Sequence, residues 1–497
     1  MTNFDFLDFK TIIKYLLFVG LILVAGAYLK NLIAIIFVLA ILYFSIDKNL
    51  FRALEAFFIW LFISNFFIGQ EYVTSQVISK YIAKPYFLLF IIFIYFFNRI
   101  PRNLLQAGYL KIWIFFLILS LVSAISQGQS PFVIITVSAF FMTFLILQAK
   151  GIKPEEYSKF LNLFIAIAII QTIVSYLQVS EVITAPVKMM EDEDGNQIEW
   201  VAGLDDVASG TFGPAASHIT SWFAGLISVF MLLMWASTKN VNYLYVMSFS
   251  FLQYATVDSK IIMGVSVLML IYAVIIIFKE KSKFRLSFNR LILFLFVLSI
   301  GAFGFIKAWN SYYEYYGEKV GGTRTDVQSV YENEAKESIN IVFANIGDWG
   351  KIKGFDNIFH DFIKNNPLQL IWGYGIQGYN FEGKMTYIEE QDTQIMQLDN
   401  LTRSRSGLIS LFATSGLLGF ILFLSAFFNW YRKNKTKMIT KYDLISSNCL
   451  KIYLPFSLLA AFLYPIEFNS IPLITFSAII SIYIKQSEFY SNLKTII

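Results

Sequence analysis

Three arginines in one long polar segment are the residues best suited to hold a charged ligand. Arg324 follows two glycines, which let the backbone approach a ligand closely. Arg403 and Arg405 stand two apart at the end of the same segment. A guanidinium matches phosphate oxygens bidentately and stays charged. These residues indicate a phosphate site. The simpler alternatives are a salt bridge between Arg324 and Asp326, and headgroup anchoring by the other two arginines.

Two further candidates lie at predicted helix starts. Lys260 ends the polar turn 256–260, where it reaches headgroups, pairs with Asp258 or holds a phosphate. His218 follows a Ser-Gly-Thr-Phe-Gly-Pro run that opens a predicted helix. The N–H groups at such a helix start can also bind an anion. His218 is therefore either a packed or capping side chain or a catalytic group.

An acidic loop near 180–215 carries a run from Glu191 to Asp194, followed by Asp205 and Asp206. It is either a solvated turn or a site for a cation or sugar hydroxyls, and it lacks the full spacing of a calcium hand. With two histidines and one cysteine in the chain, a histidine zinc site, a cysteine cluster and a disulfide framework are excluded. We expect neither a metal nor a cofactor.

Membrane helices must position these residues. Of the 497 residues, 57% are hydrophobic, 18% are aromatic and 15% are charged, whereas soluble domains carry about 25% charged residues. The mean hydropathy is +0.61. The chain holds about 14 apolar stretches near the length that a bilayer requires. They centre near Leu21, Val38, Trp60, Ile92, Leu117, Val137, Ala168, Leu226, Phe249, Leu268, Phe296, Phe420, Ala460 and Ala478.

Lysines and arginines are concentrated in alternate connections, which predicts the orientation. Both termini then lie in the cytoplasm, and the loops near 180–215 and 309–405 lie outside. The predicted fold class is an all-α polytopic membrane protein with one large, partly helical periplasmic or extracellular loop. Residues 1–308 form the first helices, 309–405 a catalytic insert, and 406–497 the last helices and a cytoplasmic tail.

Four short motifs follow one another in a set order. They are Gly-Thr-Phe-Gly-Pro from Gly210 to Pro214, the turn from Thr256 to Lys260, Trp372-Gly373-Tyr374-Gly375, and Ser-Gly-Leu-Leu-Gly from Ser415 to Gly419. Their order around the long polar segment resembles the bacterial O-antigen polymerase and O-antigen ligase superfamily. Those proteins are membrane glycosyltransferases with many spans and one large periplasmic loop. The resemblance covers roughly Ser209 to Phe428, together with the overall topology.

The chain departs from the ligases of that family at two places. Where they carry a His-Asn pair before the last motif, this chain has Arg405 and Ser406. In the second motif, the Ser-Arg of the family is replaced by Ser259 and Lys260. Lysine keeps the positive charge but lacks the paired N–H donors with which a guanidinium binds phosphate bidentately. The missing histidine favours a polymerase over a ligase.

The resemblance implies a donor glycan carried on undecaprenyl diphosphate, polymerised into O-antigen, capsule or exopolysaccharide at the outer face of the bacterial inner membrane. The expected partners are the lipid-linked donor and acceptor and the bilayer, with a chain-length regulator as an open candidate and no nucleic acid. The residues expected to hold the leaving diphosphate are Lys260, Arg324, Arg403 and Arg405.

The general base stays open among His218, His360 and Asp258. Trp372 and Tyr374, beside Gly373 and Gly375, either stack on sugar faces or pack the loop onto the helices. Two alternatives remain open. One is a ligase that moves glycan to lipid A-core or to protein, and the other is a flippase or transporter of the lipid-linked glycan.

Overall fold

The computed structural model describes residues 6–68, 84–126, 133–180, 182–183, 188–191, 197–200, 210–212, 217–256, 260–280, 363, 367–373, 407–435, 440–463 and 471–496, and single residues between 284 and 307. The helices are α1 (Phe9–Ile46), α2 (Leu50–Ile68), α3 (Pro85–Phe96), α4 (Arg102–Leu105), α5 (Gly108–Ser126), α6 (Val133–Leu147), α7 (Pro154–Val179), α8 (Ser217–Thr238), α9 (Asn242–Leu252), α10 (Lys260–Lys279), α11 (Pro367–Trp372), α12 (Gly407–Asn434), α13 (Lys441–Leu463) and α14 (Ile471–Ile496). Short 3₁₀ turns follow α3 (Phe97–Arg99) and α9 (Gln253–Ala255).

Among the described residues, six helical stretches are long and apolar enough to cross a membrane: Phe9–Gly26, Pro154–Val179, His218–Thr238, Ile262–Lys279, Thr414–Asn434 and Tyr442–Ala461. Shorter apolar helices run over Leu32–Ile46, Pro85–Arg99, Gly108–Ser123 and Val137–Leu147. A helix satisfies its own backbone hydrogen bonds, as a bilayer core demands. The described part of the chain is therefore that of an α-helical membrane protein.

All the predicted span centres fall on helical residues. Some helices at these centres are short, however; α3 has 12 residues and α9 has 11. At 1.5 Å of rise per residue, neither reaches across a hydrocarbon core of about 30 Å. The count of about 14 complete spans therefore stays a prediction.

Helix α1 is two arms joined at Leu29, whose φ of −127° and ψ of 36° are not helical. The Tyr15 hydroxyl of the first arm donates to Glu55 at 2.5 Å, while Phe37 of the second arm stacks on Trp60 at 5.2 Å. In a straight helix Tyr15 and Phe37 would lie about 33 Å apart, but their partners on α2 are only about 8 Å apart along that helix. The chain therefore turns back sharply at Leu29, as the separate span centres at Leu21 and Val38 predict.

Two strands depart from the expectation of an all-helical chain. β1 (Lys188–Glu191) pairs antiparallel with β2 (Gln197–Trp200), with Glu191 opposite Gln197. The hairpin lies in the acidic loop. The rest of the acidic run, Asp192 to Asp194, lies outside the described residues.

One end of the bundle collects basic connections from several helices. The backbone N–H of Lys150 donates to the carbonyl of Arg99 at 3.0 Å, which joins the end of α6 to that of α3. The Lys433 ammonium lies 5.6 Å from the ring centre of Tyr109, which joins α12 to α5. We call this the basic end; among the described residues it comprises 6–8, 47–49, 97–107, 148–153, 239–241, 280, 284, 435 and 440.

The N-terminal residues also dock at the basic end. The Asn162 amide donates to the carbonyl of Phe6 at 2.8 Å and accepts the N–H of Asp8 at 3.1 Å. The Phe6 ring lies edge-on to Tyr483 of α14, 6.1 Å between centroids. Asp8 caps α1 by accepting the Lys10 N–H, and the Thr11 hydroxyl that donates to it lowers the pKa of its carboxyl.

Aromatic packing fixes α12 within the bundle. Trp430 meets Phe140 of α6 at 5.2 Å and Phe476 of α14 at 6.0 Å, edge to face in both cases. Trp113 of α5 packs on Phe423 of α12 at 5.5 Å. Edge-to-face contacts at these separations are favourable beyond the area they bury. The contact between Trp113 and Phe423 holds α5 and α12 side by side, which matters for the motif at Ser415–Gly419.

Candidate functional site

The Gly-Thr-Phe motif after the acidic loop is held by two glutamines of α7. Gln178 donates to the carbonyl of Gly210 and accepts its N–H, each at 2.9 Å. Gln171 accepts the N–H of Thr211 at 2.7 Å and donates to its hydroxyl. The Thr211 hydroxyl donates in turn to the carbonyl of Phe62 in α2, at 2.6 Å. We call this the threonine clamp (Gln171, Gln178, Gly210, Thr211).

A glycine is required at the first position of the clamp. Gly210 has a φ of +63°, a conformation that side chains disfavour. A Cβ at Gly210 would lie 2.0 Å from the side-chain oxygen of Gln171. Any other residue would therefore displace the glutamine that holds Thr211.

Phe212 extends the clamp to two more helices. Its ring packs edge-on to Phe223 of α8 at 5.3 Å, and Asn65 of α2 donates to its carbonyl at 3.0 Å. His218 follows as the second residue of α8 and is half-buried. The motif thus ties α2, α7 and α8 together next to the predicted catalytic histidine. Gly213 and Pro214 of the motif lie outside the described residues.

The residues just before the second motif contact α7 as well. The Gln253 amide donates to Ser175 at 3.3 Å, and the Tyr176 hydroxyl donates to the carbonyl of Leu252 at 3.2 Å. Ser175 lies between Gln171 and Gln178 on one helical face, because residues four and seven apart line up. The segment that leads into the second motif therefore reaches the same polar stripe of α7 that holds the first motif.

The turn itself is described only at its two ends. Thr256 is buried and donates to the carbonyl of Gln253 at 2.9 Å. Lys260 begins α10, and its side chain lies outside the described part of the chain, as does Asp258. The phosphate-binding role of Lys260 stays a prediction.

The third and fourth motifs contact each other through their backbones. Gly373 and Gly416 have φ values of +72° and +64°. A Cβ on Gly373 would lie 2.4 Å from the backbone N of Gly416, and one on Gly416 would lie 2.5 Å from the carbonyl oxygen of Ile371. We call this contact the glycine crossing. It places the end of α11 directly on α12.

Helix α12 is broken at the crossing, where Gly416 has a ψ of −176°. On α5, the Ser123 hydroxyl reaches the carbonyl of Gly373 at 3.5 Å. One turn further along α12, a Cβ on Gly419 would lie 2.6 Å from Cβ of Ser415 and 3.2 Å from a methyl of Leu119. Small residues allow such close helix contacts in a membrane. Three glycines of the two motifs therefore shape this contact.

The structure leaves most predicted charged residues untested. Arg324, Arg403 and Arg405 lie outside the described residues, and so do His360, Tyr374 and Gly375. Trp372 is described as the partly exposed last residue of α11. The described residues contain no group of three or more histidine, cysteine or acidic side chains that could hold a metal ion.

The clamp glutamines are functional candidates that the motif analysis missed. Gln171 and Gln178 are buried in an apolar helix, and burying an amide costs free energy unless it is hydrogen-bonded. Their spacing of seven residues, with Ser175 between them, predicts a shared partner. The clamp carries neutral amides and hydroxyls only, so its role is to position the motif rather than to transfer protons.

No protein-family profile, curated protein or solved structure matches the chain. The described part of the chain is that of an α-helical membrane protein, in which one motif is held on α7 and two others meet at the glycine crossing.

Proposed function

We propose that the protein polymerises glycan repeat units carried on undecaprenyl diphosphate, as a membrane glycosyltransferase. The observation that carries this proposal is the glycine crossing. It seats Trp372 and Gly373, late in the long polar segment, on the broken helix that carries Gly416. In the superfamily that the motifs resemble, these elements belong to the large periplasmic loop and the span after it.

The proposed orientation puts the basic end in the cytoplasm. The positive-inside rule relates lysine- and arginine-rich connections to that side of the membrane, and contacts such as Lys150 to Arg99 bring these connections together. Both termini then lie in the cytoplasm of a bacterial inner membrane. Residues 309–405 lie on the outer side, where a lipid-linked glycan would be presented.

In the proposed reaction, an acceptor sugar hydroxyl attacks the anomeric carbon of the donor sugar. The bond from that carbon to the diphosphate oxygen breaks, the diphosphate leaves with the electron pair, and the hydroxyl proton passes to a base. His218, His360 and Asp258 are the base candidates. Negative charge builds on the diphosphate, and positioned cations stabilise it most where it develops. That role falls to Lys260, Arg324, Arg403 and Arg405.

Alanine replacement of Arg324 or Arg405 tests the proposal. Removal of one positioned group of this kind costs roughly 10²- to 10³-fold in rate. We expect purified Arg324→Ala and Arg405→Ala variants to lose the ladder of products formed from single repeat units on lipid diphosphate. Lys351→Ala removes one charge from the same segment and serves as the matched control.

The outcomes also separate the alternatives. A ladder from the wild-type protein supports a polymerase, whereas transfer of the glycan to lipid A-core or protein without a ladder indicates a ligase. Ladders of unchanged length in both arginine variants, at normal membrane levels, contradict the assignment of these residues.

One observation favours the transporter alternative. Transporters build their binding sites at discontinuous helices, and α12 is broken at Gly416. The test uses vesicles that contain this protein and no other. Movement of the lipid-linked glycan from one leaflet of the vesicle membrane to the other, without formation of a glycosidic bond, would establish that function instead.

A further inference from the structure

Residues 6–8, just before α1, are held by the helix bundle along their backbone, and we call them the strap. The side-chain amide of Asn162 on α7 donates to the carbonyl of Phe6 at 2.8 Å and accepts the N–H of Asp8 at 3.1 Å. The N–H of Phe6 donates to the hydroxyl of Tyr243 on α9 at 3.3 Å. Asp8 is extended, with a φ of −116° and a ψ of 98°. The bundle therefore binds the strap as it would bind an extended peptide.

The ring of Phe6 lies on two tyrosines, one from α13 and one from α14. It is 5.9 Å from the ring centre of Tyr442 on α13 and 6.1 Å from that of Tyr483 on α14. The two tyrosine rings are themselves 6.3 Å apart. Both tyrosines are buried, whereas Phe6 is half-buried. Phe6 is therefore the most exposed ring of the three and covers the other two.

The single cysteine of the chain lies further along the seam between α13 and α14. Tyr442, Cys449 and Tyr453 are spaced by seven and then four residues, which places them on one face of α13. Tyr453 packs edge-on to Phe476 of α14, with 4.9 Å between the ring centres. Cys449 lies between the levels of Tyr442 and Tyr453 and is fully buried. The thiol is thus enclosed in the seam whose end the strap covers.

The contacts of the strap are of a kind that opens locally. Its hydrogen bonds with Asn162 and Tyr243 join neutral groups. Segments near the end of a chain open at a much lower cost in free energy than the helices of its core. Asn162, Tyr243, Tyr442 and Tyr483 are all buried, so release of the strap would expose polar groups on four helices. The strap can therefore leave the bundle while the helices stay folded.

We propose that the strap is a releasable closure at the basic end, whose opening controls access to the seam between α13 and α14. In the closed form Phe6 covers the seam, and the amide of Asn162 holds the backbone on both sides of Leu7. These contacts break together on opening, because they belong to consecutive residues. This inference does not depend on the glycan reaction.

The rate at which N-ethylmaleimide labels Cys449 in the full-length protein in detergent measures this opening. When closing is faster than labelling, the rate follows the population of the open form. Asn162→Ala removes two hydrogen bonds to the strap. At about fivefold per hydrogen bond, labelling should become about 25-fold faster.

Asn429→Ala is the matched control for Asn162→Ala. Each of these asparagines donates to the carbonyl four residues before it in a helix, Asn162 to Ser158 and Asn429 to Ser425. Asn429, however, makes no described hydrogen bond to the strap. The control should therefore label at the wild-type rate.

Phe6→Ala tests the ring that covers the seam. It removes the contacts with Tyr442 and Tyr483, so labelling of Cys449 should become at least about tenfold faster. Phe9→Ala removes an exposed ring three residues later in the chain and should leave the rate unchanged.

Deletion of residues 2–7 removes Phe6 and Leu7 and leaves Asp8 to cap α1, and it should give the fastest labelling. In that background Asn162→Ala should add little, because two changes that act on the same contact are not additive. An equal acceleration by Asn162→Ala with and without the strap would show that Asn162 acts on the bundle itself, and would overturn the proposal. An unchanged rate in both Asn162→Ala and the deletion would overturn it as well.

Global unfolding is the rival route to Cys449, and Gln178→Ala separates it from opening of the strap. This variant removes buried hydrogen bonds from the threonine clamp, so it weakens the folded protein without touching the strap. Its labelling rate should stay close to that of the wild type. Equal acceleration in Gln178→Ala and Asn162→Ala would show that global unfolding exposes the thiol, and the closure would be wrong.

Discussion

The threonine clamp and the glycine crossing hold their motifs by opposite means. At the clamp, Gln171 and Gln178 satisfy every backbone group of Gly210 and the N–H of Thr211 with hydrogen bonds. At the crossing, Gly373 and Gly416 bring two backbones into contact by having no side chains. The clamp therefore depends on hydrogen-bond partners, whereas the crossing depends on the absence of Cβ atoms at the two glycines.

This difference implies different tolerance to substitution. When a hydrogen-bond partner is removed from the clamp, the loss of folding stability should grow with the number of hydrogen bonds lost. The reason is that each buried polar group left without a partner costs about 1–3 kcal/mol. A backbone contact has no flexible atom that can move aside, so even one methyl group forces the two segments apart. Gly416→Ala and Gln178→Ala test this contrast, and Asp8→Ala provides a reference away from both contacts.

Gly416→Ala should cause the largest loss of stability. The substitution adds the cost of a side chain at positive φ, about 1–2 kcal/mol, to overpacking of about 1–3 kcal/mol. We expect about 3 kcal/mol or more, measured as a lower Tm of the purified protein in detergent. Gly264→Ala on α10 is the control, because no atom lies within 4 Å of the added methyl. An unchanged Tm in Gly416→Ala would contradict direct backbone contact.

Gln178→Ala should have an intermediate effect. It leaves the N–H and the carbonyl of Gly210 without their partner in a buried site, at a cost of about 2–4 kcal/mol. Gln178→Met keeps the side-chain length but not the hydrogen bonds, and it should lose nearly as much. The exposed Gln106 provides the control Gln106→Ala. A fully stable Gln178→Met protein would show that packing, rather than hydrogen bonding, holds the motif.

Asp8→Ala should have the smallest effect, away from both contacts. Loss of a helix N-cap costs about 1 kcal/mol, whereas Asp8→Asn retains most of the cap. The folded pKa of Asp8 is lowered, so its charge contributes stability above the unfolded pKa of about 3.9, and that part is lost as pH falls through the folded pKa. Unfolding measured across this range should show the wild type converging on Asp8→Asn at low pH; a constant difference would contradict a role for the charge.

Local sequence signals predict much of the fold. The apolar stretches place the helices, and Pro154 at the first turn of α7 marks its start. The four motifs point to the clamp and the crossing as places of interest. The span centres at Leu21 and Val38 predict a reversal between them, but no glycine or proline stands at Leu29 to mark its position. That position follows from how both arms of α1 pack on α2. The hairpin of β1 and β2 depends on pairing between strands that alternation alone does not reveal.

The sequence by itself determined that this is a helical membrane protein with cations segregated by connection, because hydropathy and charge act residue by residue along the chain. Only the tertiary structure decided which segments the motifs contact, Gly210 the polar stripe of α7 and Gly373 the backbone of Gly416. The reason is that these contacts join residues far apart in sequence, through hydrogen bonds and close approaches that depend on how the helices pack.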